Sequence, residues 1–288
     1  MSLECVPCFL NQAIRASRIV TRDRDVHERA VREVMRYLLG IKWNVPPMIL
    51  APSLYGIVRR VTGSNDPYYE VKRLSNRIAL SLYSELRKRI EESEDPLLSA
   101  VKIAIAGNIV DFGALTYNVS VKGIREVVNS TLAKSFAIDD YEKFKEKLGK
   151  ARTLLYFFDN AGEIVFDKLL IETIMQIRRL SKITLVVKGG PLINDATVED
   201  LKEVGLDKIE KAEIKTISNG DPDTGYPMDS PEIIKWIKNS DIVIAKGQGN
   251  YELLSLVRGV FFMLMVKCPV VARSLNVDTG DIILKYNY

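Results

Sequence analysis

The residues best suited to chemistry in this chain lie in three short polar segments, each of which follows an apolar run. The segments are Asp159-Asn160, Asn194-Asp195 and Lys246-Gly-Gln-Gly-Asn250. Carboxylate and amide oxygens are the ligands that hard divalent cations prefer. Glycines let a backbone approach a ligand closely, and the lysine supplies positive charge for a phosphate. Taken together, the segments predict a site that binds a divalent metal and a phosphate.

Each segment also has a purely structural interpretation. Asp159 or Asn160 could cap a helix, and Asp195 or Thr197 could cap the helix that follows. The Gly-Gln-Gly sequence could be an ordinary turn between a strand and a helix. The recurrence of Lys, Asn or Asp with glycines after three strands favours a functional site.

Several familiar sites are excluded. The chain has no G-x-x-x-x-G-K-[ST] and no full G-x-G-x-x-G after its first predicted strand, which argues against a P-loop and a dinucleotide site. The haloacid-dehalogenase pattern requires a second acid where this chain has Ala161. The single histidine, His27, argues against triads and histidine-based zinc sites. Chemistry must therefore rest on carboxylates, amides and lysines.

The second half of the chain contains the elements that must position these residues. Short apolar runs at 153–158, 183–187, 213–217 and 241–245 alternate with helical patterns. This alternation predicts a mostly parallel sheet with right-handed crossovers. In such sheets ligands bind at the carboxyl ends of the strands, which is where the polar segments fall. The tail at 270–286 could add one or two further strands.

The first half of the chain reads as helices. Asp66-Pro67 and Asp95-Pro96 each resemble an acidic N-cap followed by proline at the first helical position. No strong strand signal occurs before residue 150. The sequence therefore predicts an α/β protein: an all-helical N-terminal domain, residues 1–150, packed on a Rossmann-like three-layer α/β/α domain, residues 151–288.

Composition restricts the class of protein. The chain has 288 residues, of which 47% are hydrophobic and 27% charged, and its net charge of +4 comes without a long basic run. We expect a globular cytoplasmic protein that binds neither nucleic acid nor membranes, because no apolar stretch reaches membrane-spanning length. No signal peptide is evident. The sequence does not determine whether the chain forms a homo-oligomer.

The three cysteines are too few for a disulfide framework. We interpret Cys5-x-x-Cys8 as two buried thiols on a helix, with a redox role, or metal binding together with Cys268, as alternatives. A full structural zinc site is disfavoured because it requires four ligands. Lys267, at the end of a further apolar run, is a candidate for phosphate binding.

These motifs together resemble the damage-control phosphatases, formerly catalogued as domain-of-unknown-function-89. The resemblance spans residues 5 to about 268, and Cys5-x-x-Cys8 is typical of the first subfamily, which is often archaeal. The motifs that carry it are Asp159-Asn-Ala-Gly-Glu-Ile-Val-Phe-Asp167, Lys188-Gly-Gly-Pro-Leu-Ile-Asn-Asp195, Lys246-Gly-Gln-Gly-Asn-Tyr-Glu252, Asp66-Pro-Tyr-Tyr-Glu-Val-Lys72 and Gly107-Asn-Ile-Val-Asp111.

The resemblance implies a phosphatase that depends on Mn²⁺, Ni²⁺, Co²⁺ or Mg²⁺ and acts on small phosphorylated metabolites, such as damaged purine nucleotides or their precursors. It implies metal ligands at Asp159, Asn160 and Asp195. It also implies a set of residues that contact phosphate or substrate, with Lys72 as a further candidate ligand. This set comprises Asn108, Asp111, Glu163, Asn194, Lys246, Gly247, Gly249, Asn250 and Lys267.

The residues alone leave several points open. Asn108 and Asp111 would share a helical face, but a helix ending at Gly107-Asn108 with Asp111 as the next N-cap is the interpretation that sequence favours. Our hypothesis is metal-assisted hydrolysis of phosphate monoesters, with Asp159 and Lys246 as the catalytic pair. Asp159 could hold the metal beside a water or attack phosphorus itself. The alternatives are a Rossmann-like methyl or glycosyl transferase and a non-catalytic metal- or nucleotide-binding protein.

Overall fold

The computed structural model describes residues 1–109, 121–218 and 230–288, and within these ranges it is a mixed α/β protein. Asp111 lies outside them. The strands are β1 (Ile138–Asp139), β2 (Thr153–Phe157), β3 (Lys182–Lys188), β4 (Ala212–Ile217), β5 (Ile242–Lys246), β6 (Val260–Met265) and β7 (Ile282–Tyr286).

Helices precede and connect these strands. They are α1 (Cys5–Val20), α2 (Arg24–Gly40), α3 (Pro47–Thr62), α4 (Tyr69–Glu91), α5 (Pro96–Ile109), α6 (Val121–Ala133), α7 (Tyr141–Lys150), α8 (Glu163–Ile177), α9 (Val198–Glu203), α10 (Pro231–Lys238), α11 (Gly247–Leu254) and α12 (Pro269–Leu275). A short 3-10 turn, Leu206–Lys208, follows α9.

The described strands form a single sheet in the order β1-β7-β6-β5-β2-β3-β4. Every neighbouring pair is parallel except β6 and β7. The chain runs outward from β2 to β4 in one direction and from β5 to β6 in the other. The order therefore reverses between β2 and β5, and such a reversal opens a crevice at the carboxyl ends of the strands.

Two hydrophobic cores lie on opposite faces of the sheet. Alternate residues of β2 belong to different cores: Leu154 and Tyr156 pack with helices α4 to α9, whereas Leu155 and Phe157 pack with α1 to α3 and α10 to α12. This division follows from the two-residue repeat of a strand. The helices of the first half of the chain therefore cover both faces of the sheet.

The structure confirms the mostly parallel sheet and shows where sequence patterns fail. The two-residue strand β1 pairs with β7 before residue 150, and so short a strand leaves no periodic signal. Asp66 accepts a hydrogen bond from the backbone N–H of Tyr68 at 3.0 Å, but α4 begins only at Tyr69. By contrast, Asp95 accepts from Leu98 N–H at 3.0 Å and α5 begins at Pro96, as predicted.

Helix α5 includes Gly107 and Asn108 and ends at Ile109, one residue beyond the end that the sequence favoured, while the N-cap predicted at Asp111 lies outside the described residues. This last turn of α5 lies directly against α8. A Cβ atom at Gly107 would stand 3.0–3.1 Å from atoms of the Phe166 side chain. The missing side chain therefore lets the two helices approach closely, and this approach brings Asn108 to the edge of the sheet.

Within the described ranges, no helix is long and apolar enough to span a membrane.

Replacing Gly107 with valine should destabilise the protein by about 1–3 kcal/mol, because the new side chain must displace Phe166 or separate the two helices. Valine is the better helix former of the two residues, so a loss of stability would report steric overlap. Urea unfolding measures the effect.

Gly149→Val is the matched control, since Gly149 is helical and a Cβ atom there would have no other atom within 4 Å. Equal effects of the two substitutions would contradict the packing explanation.

Candidate active site

The loops that follow β2 and β3 are held together by backbone hydrogen bonds. Ala161 N–H donates to Asn194 O at 2.9 Å, and Ala196 N–H donates to Asp159 O at 2.8 Å. The two bonds form an antiparallel bridge between Asn160 and Asp195. Two acid–amide pairs that are 35 positions apart in the sequence therefore lie side by side at the crevice.

Two asparagine amides hold the carboxylate of Asp159. Its Oδ2 atom accepts hydrogen bonds from Asn108 Nδ2 at 2.9 Å and from Asn160 Nδ2 at 2.8 Å. The same two amides donate to Glu163 Oε2, at 3.1 and 3.3 Å. Asn108 comes from α5, so the helical half of the chain contributes directly to the site.

Lys246 is not placed to contact a phosphate, which corrects the prediction from sequence. Its side chain is fully buried and does not line the cavity at the strand ends. Its ammonium group donates to Glu163 Oε1 at 2.7 Å, to Asp167 Oδ1 at 2.6 Å and to Ala104 O at 2.9 Å. Lys246 is therefore an internal counter-charge beneath the site.

Two further predicted substrate contacts are also internal. Glu163 is fully buried and links Lys246 to the two asparagine amides. Asn250 is buried and donates to Phe158 O and Lys246 O, at 2.9 and 2.8 Å. The contacts of both side chains fix the ends of β2 and β5, although the buried Asn250 Oδ1 has no hydrogen-bond partner among the described residues. Sequence reasoning missed this because it cannot tell a polar residue facing a ligand from one that ties two strands together.

The two glycines after β5, Gly247 and Gly249, have different structural roles. Gly247 has a φ of +76° and a Cβ there would overlap the carboxylate of Asp159. Gly249 lines the cavity and packs against the Met48 side chain, whose Cε atom would lie 3.0 Å from a Cβ at this position. Gly247 therefore makes room for Asp159, and Gly249 brings the first turn of α11 to the cavity.

A cavity of about 580 Å³ opens over this arrangement. Its lining includes most of the predicted site residues, together with residues of α1 and the segment before α4. The predicted members are Asn108, Asp159, Asn160, Asn194, Asp195, Gly249, Lys267 and Cys8. This volume lies within the range of small-molecule sites, about 300–1,000 Å³.

Burial and neighbouring carboxylates raise the pKa of two carboxyl groups at the cavity, Asp159 and Asp195. Burial raises the pKa of Asp159 well above its ordinary value, and the charges of Glu163 and Asp195 add to the shift, against Lys267 and Lys188. Burial also raises the pKa of Asp195, although Lys188 lies 3.6 Å away and opposes the shift. The ionised forms of both carboxyl groups are therefore disfavoured in this site, and the neighbouring lysines offset only part of this effect.

A second buried network supports the loop from below. Asn76 Oδ1 accepts a hydrogen bond from Gly162 N–H at 2.6 Å, while its Nδ2 donates to Asp200 Oδ1 and Glu203 Oε2, at 3.0 and 2.6 Å. Lys72, implied as a ligand by the family resemblance, pairs instead with Asp66 and Asp200 at 3.2 and 3.4 Å. These contacts fasten α4 to the turn that follows Asn160.

The cysteines are divided between the core and the cavity. All three are free thiols on the described part of the chain: Cys5 is buried, Cys8 is exposed and Cys268 is half-buried. The prediction that both thiols of the motif are buried is thus wrong for Cys8, which lines the cavity with Cys268. No three His, Cys, Asp or Glu side chains in the described ranges form a metal-binding group.

One face of α1 supplies cavity residues that sequence reasoning missed. Asn11, Gln12 and Arg15 all line the cavity beside Cys8. Their spacing of three and four positions marks one face of a helix, and the opposite face is apolar, with Phe9 and Ala13 buried. This periodic polar stripe was available in the sequence, but nothing in it showed which surface α1 would face.

The residues at the strand ends fit a divalent cation. Asp159, Asn160 and Asp195 offer two carboxylates and an amide, an all-oxygen set that suits Mg²⁺ or Mn²⁺. Among the described residues, the buried Asn108 Oδ1 has no hydrogen-bond partner, although it belongs to the side chain that contacts Asp159. A bound cation would stabilise these carboxylates in their ionised form and would provide a partner for the unpaired carbonyl oxygen.

Comparison with known proteins agrees with this geometry. A family model described as the ARMT1-like damage-control phosphatase domain matches residues 1–283. The chain belongs to the damage-control phosphatase family. Membership favours a phosphatase over the transferase and the non-catalytic module that the sequence left open.

Individual relatives of this damage-control phosphatase cover nearly its whole length. A damage-control phosphatase of Pyrococcus horikoshii is 35% identical over 99% of this chain and 97% of its own. A damage-control phosphatase of Archaeoglobus fulgidus is 34% identical over 98% of this chain and 97% of its own. The crystal structure of a DUF89 family protein from P. horikoshii matches with a TM-score of 0.88 and 33% identity, over 100% of this chain and 99% of that one.

Replacing Gly247 with alanine should lower the free energy of unfolding for two reasons. The left-handed backbone conformation is unfavourable for alanine, and the overlap of the methyl group with Asp159 should cost a further amount of about 1–3 kcal/mol. Gly63→Ala is the matched control: Gly63 has a φ of +72°, and a Cβ atom there would have no other atom within 4 Å. The free energy of unfolding of that variant should fall by only about 1–2 kcal/mol, which is the cost of placing a residue with a side chain in the left-handed conformation. Equal losses in urea unfolding would contradict the steric account.

Replacing Lys246 with methionine should lower the free energy of unfolding by about 3–5 kcal/mol at pH 8, because Glu163 and Asp167 lose their counter-charge. The loss should be smaller at pH 5. Burial already raises the pKa of Asp167 to about 7 despite Lys246. A carboxyl group whose pKa is raised by folding stabilises the fold at low pH, and that contribution disappears as the pH rises through about 7.

The measurement is urea unfolding of wild type and variant at both pH values. Lys208→Met, a substitution at an exposed position, is the control. It should change the free energy of unfolding little at either pH. A loss from Lys246→Met that is the same at pH 5 and pH 8 would show that repulsion between the carboxylates is not its cause.

Proposed function

We propose that this protein is a divalent-metal-dependent phosphatase that hydrolyses small phosphate monoesters. The observation that carries the proposal is the pairing of Asp159-Asn160 with Asp195 at the crevice between β2 and β5. The names of its relatives support a phosphatase activity in metabolite damage control.

In this proposal Asp159, Asn160 and Asp195 hold the cation, and Mn²⁺ or Mg²⁺ fits their oxygens better than Ni²⁺ or Co²⁺. When bound, the cation would polarise the phosphoryl group and lower the pKa of a coordinated water. Asp159 acts as a ligand, because two amides already occupy its Oδ2 atom and fix its orientation. Fixed orientation favours a ligand over a carboxylate that must move to attack phosphorus.

The protein's own groups bind the phosphate. Lys267 lines the cavity, and its charge acts on Asp159. Its backbone N–H and that of Cys268 donate to Gln248 Oε1, at 2.9 and 3.0 Å, which fixes the loop after β6 beside α11. The first turn of α11 adds backbone N–H groups and the positive end of a helix. In this proposal Lys267, and not Lys246 as the sequence predicted, is the lysine that binds the phosphate.

Buried contacts hold this arrangement in place during catalysis. Asn108 keeps Asp159 turned toward Asn160, and Glu163 keeps both amides in position through its bond to Lys246. Preorganised groups of this kind stabilise developing charge without the cost of reorienting during the reaction.

Phosphate release from p-nitrophenyl phosphate and a panel of sugar phosphates and nucleotides tests the proposal. Removal of divalent metal with EDTA should abolish activity, and Mn²⁺ or Mg²⁺ should restore it. Asp159→Asn should lower kcat/KM by at least about 100-fold and remove the stabilisation against heat that Mn²⁺ gives to wild type.

Asp207→Asn, which changes an exposed carboxylate of the same half of the chain, is the control and should behave as wild type. Full activity in EDTA, or full activity of the Asp159→Asn variant, would refute the proposal.

A further inference from the structure

We infer that the preferred substrates are phosphate monoesters that carry a second anionic group, which Arg15 binds. The inference rests on the proposed phosphatase function and names the class of substrate. The inference is drawn from the part of the cavity lining that contains neither the proposed metal ligands nor the proposed phosphate-binding residues.

The cavity is larger than a phosphate requires. Its volume of about 580 Å³ is that of a site for a whole small molecule. The strand-end residues and Lys267 form one part of its lining. The polar face of α1 forms another part, where Cys8, Asn11, Gln12 and Arg15 lie in one stripe, beside a Glu4 that is paired with Arg273. In this inference, the part of the substrate beyond its phosphate contacts α1.

The stripe has a direction along the helix. Cys8 lies at the end near Cys268, which follows Lys267 in the chain, and both thiols line the cavity. Arg15 is seven positions further along α1, which corresponds to about 10 Å.

Arg15 is available for a ligand. Its side chain is exposed at the cavity and has no hydrogen-bond or ion-pair partner in the described parts of the chain. A guanidinium group binds a carboxylate or a phosphate through two parallel hydrogen bonds. Between Arg15 and Lys267, the amides of Asn11 and Gln12 can donate to and accept from hydroxyl groups. The cavity thus suits a polar molecule with one anionic group at each end.

Three acyclic six-carbon esters that differ only at carbon 1 test the inference. D-glucitol 6-phosphate has a hydroxyl group there, 6-phosphogluconate a carboxylate, and D-glucitol 1,6-bisphosphate a second phosphate. Wild type should have a kcat/KM at least about tenfold higher for one or both anionic esters, since a charge-assisted pair contributes about that factor. Comparing the carboxylate with the second phosphate shows which of the two anions Arg15 binds.

Arg15→Gln should abolish this preference by raising KM for the anionic esters, and it should lower kcat/KM for D-glucitol 6-phosphate much less than for the anionic esters. Arg18→Gln removes the same charge from an exposed position of α1 outside the cavity and should keep the preference. The pair of variants separates a contact at Arg15 from a general effect of positive charge.

Equal kcat/KM for the three esters in wild type overturns the inference, as does a preference that survives in Arg15→Gln. Hydrolysis of other phosphate esters without hydrolysis of any of these three overturns it too, and each of these outcomes leaves the phosphatase proposal intact. If no phosphate ester is hydrolysed with any metal, the phosphatase proposal itself fails.

Discussion

The carboxylates of Asp159, Glu163 and Asp195 lie close together, and the architecture around them offsets their charge. Lys246 neutralises part of it from beneath, through fully buried ion pairs with Glu163 and Asp167. Asn108 and Asn160 donate hydrogen bonds from the side. Lys267 acts from the cavity, and the buried Lys188 acts from within the protein. Buried charge is costly unless it is paired, so each of these contacts is a condition for keeping the carboxylates in place.

This constraint explains why distant parts of the chain must meet. Gly107 lets α5 approach α8 and bring Asn108 to Asp159. Gly247 leaves room for the carboxylate at the start of α11. The turn after Asn160 is fastened to α4 through Asn76. The helical half of the protein is therefore part of the site, and the two halves depend on each other for the same group of charges.

Local sequence signals predicted a large part of this molecule. Apolar runs located four of the parallel strands, and acid–amide pairs after them located Asp159, Asn160 and Asp195 at one edge of the sheet. The same signals misassigned Lys246, Glu163 and Asn250, because a polar residue after a strand looks alike whether it faces a ligand or a buried partner. The pairing of Lys246 with Asp167, and the surface that α1 faces, depend on contacts between segments far apart in the chain. Periodicity does not encode such contacts.

A cation bound between the loops that follow β2 and β3 is the central requirement of the proposed chemistry. X-ray diffraction from crystals grown with Mn²⁺, with data collected at the manganese absorption edge, tests this directly. We predict an anomalous difference peak in direct bonding contact with oxygens of Asp159, Asn160 and Asp195, and with Lys246 still paired to Glu163 and Asp167. A peak at another cluster of carboxylates, or no peak between the loops when Mn²⁺ is saturating, would contradict the proposed metal site.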